Sequence, residues 1–370
     1  MKKSVSIFAH LAVLASVVLE IWYGAFRLHV HFDTVPLWVF RTAMATVVVF
    51  VFAMFVVVFK FQNTLVRVLG IFAGYLAVFL PVLTFILGIT HVVLLIFNVS
   101  LFWSGVVAVA AAFIAVFIGA VLGNTFIVRK TEIKIPKLQN EVTIMQISDA
   151  HIGVLYGKKY LSKIVEKTNL HNPDMVVITG DLTETKAALK HGMLTPLSNL
   201  NAPTYFVEGN HESYTGLEGV LKTISDQNVR ILHNEIVETH GIQLIGLDYS
   251  KADDEAYDIH PLEIKSTVKS VLAGMELKAE LPAVLLNHNP IGVNYAAAKG
   301  IDLMISGHTH RGQVFPFTIV TKLAFEFNGG LYDKGNIKVF VSGGVGGVVT
   351  RMRLGSFNEI NLLKLVPEKR

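Results

Sequence analysis

Val142-Thr143-Ile144-Met145-Gln146-Ile147-Ser148-Asp149-Ala150-His151 sets an apolar run directly against two metal-capable side chains. A short apolar stretch of this kind reads as a buried strand. Strand alternation then points Asp149 and His151 to one side, where they can share a cation. The arrangement repeats along the chain. Residues 175–179 lead to Gly180-Asp181, 204–207 to Gly209-Asn210-His211-Glu212, 283–286 to Asn287-His288-Asn289, and 301–305 to Gly307-His308-Thr309-His310. Each candidate ligand stands at the C-terminal end of a strand, where open α/β sheets build their sites. The glycines before Asp181, Asn210 and His308 let the backbone turn sharply and approach a ligand closely.

The donors are carboxylate, amide and imidazole, and the chain has no cysteine to supply a thiolate. Such a set suits a pair of divalent cations, with manganese, iron and zinc all compatible. A dimetal centre with open positions favours attack of water or hydroxide on a phosphorus ester. Single Gly-Asp or Asn-His pairs are usually turns; it is their order and their common place at strand ends that make a site. His171, His191, His233, His240 and His260 lack that context and read as surface or structural histidines.

These blocks resemble the calcineurin-like metallophosphoesterases, whose signatures are D-x-H, G-D, G-N-H-[DE], a lone H and G-H-x-H. The likeness covers about residues 142 to 365. It implies that Asp149, His151, Asp181 and His310 hold one metal and that Asp181, Asn210, His288 and His308 hold the other, with Asp181 bridging. By the same resemblance His211 binds phosphate and acts as general acid, with Glu212 as its partner, and Asn210 also faces substrate. The wording of residues 306–317, 286–290 and 353–360 is similar to the membrane-anchored subgroup called transmembrane protein with metallophosphoesterase domain. The broader group includes bacterial phosphodiesterases and hydrolases of UDP-2,3-diacylglucosamine in lipid A synthesis. Two positions depart from the pattern: Ala150 replaces a larger apolar residue, and Arg311 stands where glycine is common, open to a phosphate contact or to solvent.

Before residue 130 the composition changes. Residues 37–59 carry one charge, Arg41, and as a helix would be about 34 Å long, enough to cross a hydrocarbon core. Residues 105–128 are uncharged, 5–23 contain only Glu20, and 65–97 contain only Arg67, interrupted by Pro81 and Gly88. Four spans result, with the first read as an uncleaved anchor rather than a secretory signal. The 33-residue stretch 65–97 is long for one span and short for two, and two would move the following domain to the other side of the membrane. With four spans, Lys2, Lys3, Lys60, Arg67, Arg129, Lys130, Lys134 and Lys137 share one side. The positive-inside rule makes that side cytoplasmic, so the expected setting is a multi-pass inner-membrane protein with its catalytic domain in the cytoplasm. Gly70 and Gly74, and Gly119 and Gly123, have the small-xxx-small spacing that lets helices pack closely.

The expected architecture is an all-α membrane domain over residues 1–128 and a basic connector over 129–141. An α/β domain follows over 142–370, with two sheets in a sandwich, flanking helices and metals at one rim. Helices are expected at 160–171, 184–200, 216–228 and 261–275, and residues 250–260 read as a lid or surface loop. Residues 1–130 hold eight Lys or Arg against two acids, a net +6, which leaves −2 for the remainder out of +4 overall. A nuclease needs a basic track to neutralise phosphates, so nucleic acid is not the expected partner. The expectation is a membrane-bound phosphohydrolase using metal-activated hydroxide on a phosphorylated or nucleotide-linked lipid. Its alternatives are a phosphodiesterase on soluble esters with the helices as anchor, and a silent phosphate-binding module regulating a transporter or receptor. The sequence does not set the oligomeric state.

Overall fold

Apolar helices precede the first strand of this chain. The computed structural model describes residues 17–61, 63–190, 192–249 and 266–368. Among the described residues three helices, Leu37–Val58, Thr64–Ile96 and Leu101–Gly123, are long and apolar enough to cross a membrane. Their surfaces carry exposed Trp38, Phe52, Leu95, Ile114 and Phe117, a distribution that suits a lipid surround. Residues 64–96 form one continuous helix that passes through Pro81, so the stretch that could have been two spans is one. Of the expected first span, residues 5–16 lie outside the described residues. A π-helical turn, Glu20–Gly24, runs into the Ala25–His31 helix. The last apolar helix stops at Gly123, and Ile127 and Val128 already belong to a strand.

The chain divides into two units, and each is built from more than one stretch. The helical unit contains Met1–Asn124 together with Val314–Pro316 and Val349–Leu354. Small residues explain how the last of these fits. A Cβ on Gly74 would lie 3.0 Å from Thr350, one on Gly119 would meet Met352, and one on Gly123 would meet the backbone of Arg351. The Arg353 N–H donates to the Gly119 carbonyl at 3.0 Å. These glycines therefore receive a loop from late in the chain, not the neighbouring helix that their spacing suggested. Phe315 packs edge-on against Phe85 with ring centroids 4.9 Å apart.

The second unit is a two-sheet sandwich. One six-stranded sheet has the order β1(Ile127–Ile135), β12(Glu359–Pro367), β2(Val142–Ile147), β3(Met175–Thr179), β4(Thr204–Val207), β5(Val229–Ile231). The other runs β10(Gly330–Asp333), β11(Lys338–Val341), β9(Leu303–Ser306), β8(Ala283–Leu286), β7(Ile242–Gly246), β6(Glu235–Thr239). β2 to β5 are parallel, as are β7, β8, β9 and β11. Side chains from both sheets, among them Ile144, Val177, Leu286, Ile305, Phe340 and Leu363, meet in one buried core. Parallel central strands are covered on both faces, which is why all five residues of β3 are buried and apolar or hydroxylated.

Several local expectations change. Residues 127–135, partly read as a basic connector, form edge strand β1, paired in parallel with β12; Ile133 and Ile135 enter the core while Lys130, Glu132 and Lys134 face out. Arg129 there pairs with buried Glu359 at 2.8 Å and Lys137 with Asp302 at 3.2 Å, so those two cations of the basic run are engaged within the domain. The helix expected over 184–200 is two short 3₁₀ turns, Lys186–Leu189 and Thr195–Asn199, in a stretch broken by Gly192 and Pro196. The 160–171 and 216–228 helices appear as Lys158–Asn169 and Leu217–Ser225. Residues 250–260 and the start of 261–275 lie outside the described residues; the remainder holds the Val268–Ala273 helix.

Phe340→Ala empties a fully buried position between the sheets and is expected to cost about 3–5 kcal/mol. Exposed Leu170→Ala is expected to stay within about 0.5 kcal/mol. Thermal melts of the detergent-solubilised protein should separate the two clearly, and equal melts would contradict a shared inter-sheet core.

Candidate metal centre

Ends of β2, β3, β4, β8 and β9 deliver the candidate ligands from both sheets of the sandwich. Backbone geometry, rather than strand alternation, aims the first of them. Asp149 and His151 lie beyond β2 with φ of +54° and +47°, and Asp181, His308 and His310 are left-handed too, at +51°, +74° and +50°. Such backbone costs a non-glycine residue roughly 1–2 kcal/mol, less for Asp and His, and it clusters where function fixes geometry. Five of the seven expected ligands share it.

Six of the seven come together. Asp149 Oδ1 is 3.2 Å from His310 Nε2, which is 3.0 Å from His151 Nε2, and His151 Nε2 is 3.9 Å from Asp181 Oδ2. On the other side Asp181 Oδ2 is 3.2 Å from His288 Nε2, itself 3.2 Å from His308 Nδ1. Asp149, His151 and His310 offer donor atoms within 4.8 Å of one another, as do Asp181, His288 and His308. Asn210 begins the short Asn210–Thr215 helix, is buried, and both its side-chain Oδ1 and Nδ2 lack a protein partner. A buried amide without a partner is costly, and a cation would give the Oδ1 a partner. These residues fit a pair of divalent ions. The glycines make room: a Cβ on Gly209 would collide with the Asp181 carboxylate, and one on Gly307 with that of Asp149.

A further carboxylate, unmarked in the sequence reading, organises the histidines. Glu184 Oε2 accepts from His151 Nδ1 at 2.6 Å and from His211 Nδ1 at 2.7 Å. One carboxylate thereby fixes the tautomer of both rings and turns both Nε2 atoms toward Asp181, His211 Nε2 standing 3.9 Å from Asp181 Oδ2. The spacing Asp181-x-x-Glu184 was the available signal. Glu212, expected to partner His211, does something else: it accepts from the backbone N–H groups of Asp181, Thr183 and Gly209 at 2.8–2.9 Å. Consecutive residues on a helix point about 100° apart, so Glu212 faces the β3 and β4 turns while His211 faces the ligand cluster. Arg311 also has another partner. Its Nη2 lies 3.4 Å from Glu359, the carboxylate that Arg129 holds, and its side chain packs against Gly329 and Gly343.

Charge reinforces the cluster. Burial opposes ionisation of Asp149, yet His310 and His288 hold it well below the usual carboxylate range; burial likewise opposes Asp181, and His288 and His211 prevail. Glu184 is brought down to about 2, against burial, by His151 and His211. Burial disfavours charged imidazoles as well, but Asp181 raises His288 to about 9, and Asp181 with Glu184 raises His211 to about 10. Glu212 moves the other way, upward, through burial and the Asp181 charge. Ligands must be deprotonated to take up a cation, so metal uptake here competes with protons.

Residues 142–312 match the calcineurin-like phosphoesterase family. An uncharacterized metallophosphoesterase of Helicobacter pylori strain J99 is 36% identical over 248 residues, which are 65% of this chain and 64% of that protein. One from Aquifex aeolicus is 33% identical over 253 residues, covering 65% of this chain and 94% of that protein. The transmembrane protein with metallophosphoesterase domain of Bos taurus is 33% identical over 248 residues, 63% of this chain and 54% of that protein. The match therefore spans less than two-thirds of the Helicobacter and Bos taurus proteins.

Because Glu184 orients two rings at once, Glu184→Ala is expected to cost about 10–100-fold in metal affinity. Metal analysis after dialysis against graded chelator reads this directly, and retention equal to the parent protein would remove Glu184 from the support of the centre.

Proposed function

Because the chain belongs to the calcineurin-like phosphoesterases, we propose that its ligand cluster is a dimetal hydrolytic centre cleaving a phosphodiester or pyrophosphate carried by a membrane lipid. The observation that carries the reading is the place of Asp181, whose Oδ2 is 3.2 Å from His288 Nε2 and 3.9 Å from both His151 and His211 Nε2. Asp149, His151 and His310 with Asp181 would hold one ion, and Asp181, Asn210, His288 and His308 the other. Two divalent cations, when bound, supply Lewis-acid polarisation of the ester and lower the pKa of water.

The chain's own groups do the rest. Glu184 holds the Nδ1 proton of His211, so the second proton of the charged ring lies on Nε2, on the side of Asp181. Although burial disfavours charge, the Glu184 carboxylate on Nδ1 favours the charged ring, the state needed to donate to a departing oxygen. Its side chain keeps 15% exposure, which leaves a path for a leaving group. Asn210, beside His211, would also meet the bound phosphate edge.

Membrane attachment supports the lipid-borne substrate, since a tethered enzyme meets bilayer components at high local concentration. UDP-2,3-diacylglucosamine, of lipid A synthesis, is one instance, resting on the family resemblance and on no particular residue of this chain. The basic residues flanking the apolar helices favour a multi-pass inner-membrane protein with the phosphoesterase domain in the cytoplasm.

Asp181→Ala should abolish metal-dependent turnover of phosphodiesters while leaving the thermal melt of the full protein in place; persistent turnover would overturn the centre. Comparing lipid extracts incubated with active protein or with Asp181→Ala tests the lipid assignment, and a change confined to soluble nucleotides would contradict it. Glu184→Gln removes a charge that raises His211, so protonated His211 is lost at lower pH and the alkaline limb of kcat for a poor leaving group should move down. An unmoved limb would end the role of His211 as proton donor.

A further inference from the structure

The turn that carries metal-binding His310 is followed by a helix with its polarity inside out. Phe317–Ala324 contains no buried residue, and Phe317, Ile319, Val320 and Leu323 are exposed at 57%, 52%, 56% and 83%. With 3.6 residues per turn, these four and Ala324 occupy one arc of about 160°, and Thr318, Thr321 and Lys322 the opposite side. In a water-facing helix the apolar arc packs inward. Here the threonines do: a Cβ on Gly312 would strike Thr321 Oγ1 and the Thr318 backbone, so the polar face rests on the His310–Gly312 turn and the apolar face points away from the protein.

We propose that the Phe317–Ala324 helix lies in the bilayer surface and forms the membrane-facing lip of the metal centre. The protein already owns helices of membrane-crossing length. Phe317 follows by one peptide bond the Val314–Pro316 segment that belongs to the helical unit, so the helix starts from that unit. Lys322, exposed at the border between the two faces, can lay its stem on apolar surface and keep its ammonium at the headgroups. Four exposed apolar side chains are few for a protein partner, since stable interfaces use about 20–30 residues a side, but they suit shallow insertion at the headgroup boundary. On the far end of the helix Phe325 stands edge-on to His308, ring centroids 6.1 Å apart. An amphiphile with its acyl part in the membrane could thus present its phosphate ester to His308 and His310. That route rests on the lipid-borne substrate proposed above; the docking of the helix does not.

The absence of cysteine makes the test direct. Leu323→Cys and, separately, Val320→Cys carry an environment-sensitive fluorophore in the full chain, reconstituted in phosphatidylethanolamine and phosphatidylglycerol vesicles with or without brominated acyl chains. Lys163→Cys, exposed on the Lys158–Asn169 helix, is the reference. Blue-shifted emission quenched by bromine at positions 320 and 323 but not at 163 is the expected result. Emission as in water, or a signal that ignores bromine and follows protein concentration as for self-association, overturns the docking. With quenching established, Leu323→Asp should slow a vesicle-borne diester on the order of tenfold and leave a water-soluble diester unchanged. Equal turnover of the vesicle-borne diester by Leu323→Asp and the parent would leave the docking standing and remove the lipid route.

Discussion

Asp181 gathers three imidazoles around one buried carboxylate, and most of the domain is arranged to make that possible. Its backbone N–H is held by Glu212, one of its oxygens accepts from the His211 N–H, and the other faces His288, His151 and His211. The ring positions come from both sheets, so the sandwich must close before the cluster exists. A buried group of this density carries large opposing electrostatic terms, in which desolvation is offset only by close opposite charge. Divalent cations would supply that charge, and one near Asn210 would also give its buried Oδ1 a partner.

The candidate ligands were legible because each follows an apolar run, and a strand end is a place where side chains of different strands converge. One inference failed, and another held by a different route. Glu212 follows His211 in sequence, yet a helix sends neighbours to different faces, and the partner of His211 is Glu184, one strand earlier. Asp149 and His151 do meet, but through left-handed backbone past the end of β2, which a period-two pattern does not encode. The mixture of lysines, arginine and glutamate in 129–135 hid an edge strand whose exposed face is charged and whose isoleucines are core; such composition is what an edge requires.

The helical part was legible as apolar spans and less so in its internal packing. Small-residue spacing pointed to close approach without saying of what, and Gly74, Gly119 and Gly123 prove to receive Val349–Leu354. That segment and Val314–Pro316 lie far along the chain from the helices, and no local pattern records a contact between residues separated by more than two hundred positions. The helical unit is therefore completed by two short segments from late in the chain. An inside-out helix begins at one of those two segments, and its reading depends on contact with Gly312, visible only once the loop is folded.

The central claim is that Asp181 bridges two ions. Manganese-loaded protein, examined by electron paramagnetic resonance alongside metal analysis, tests it most directly. Two manganese ions per chain with an exchange-coupled spectrum, and loss of that coupling in Asp181→Asn, is the result expected. A single ion per chain, or two whose spectrum is that of isolated manganese and unaffected by the substitution, would contradict it.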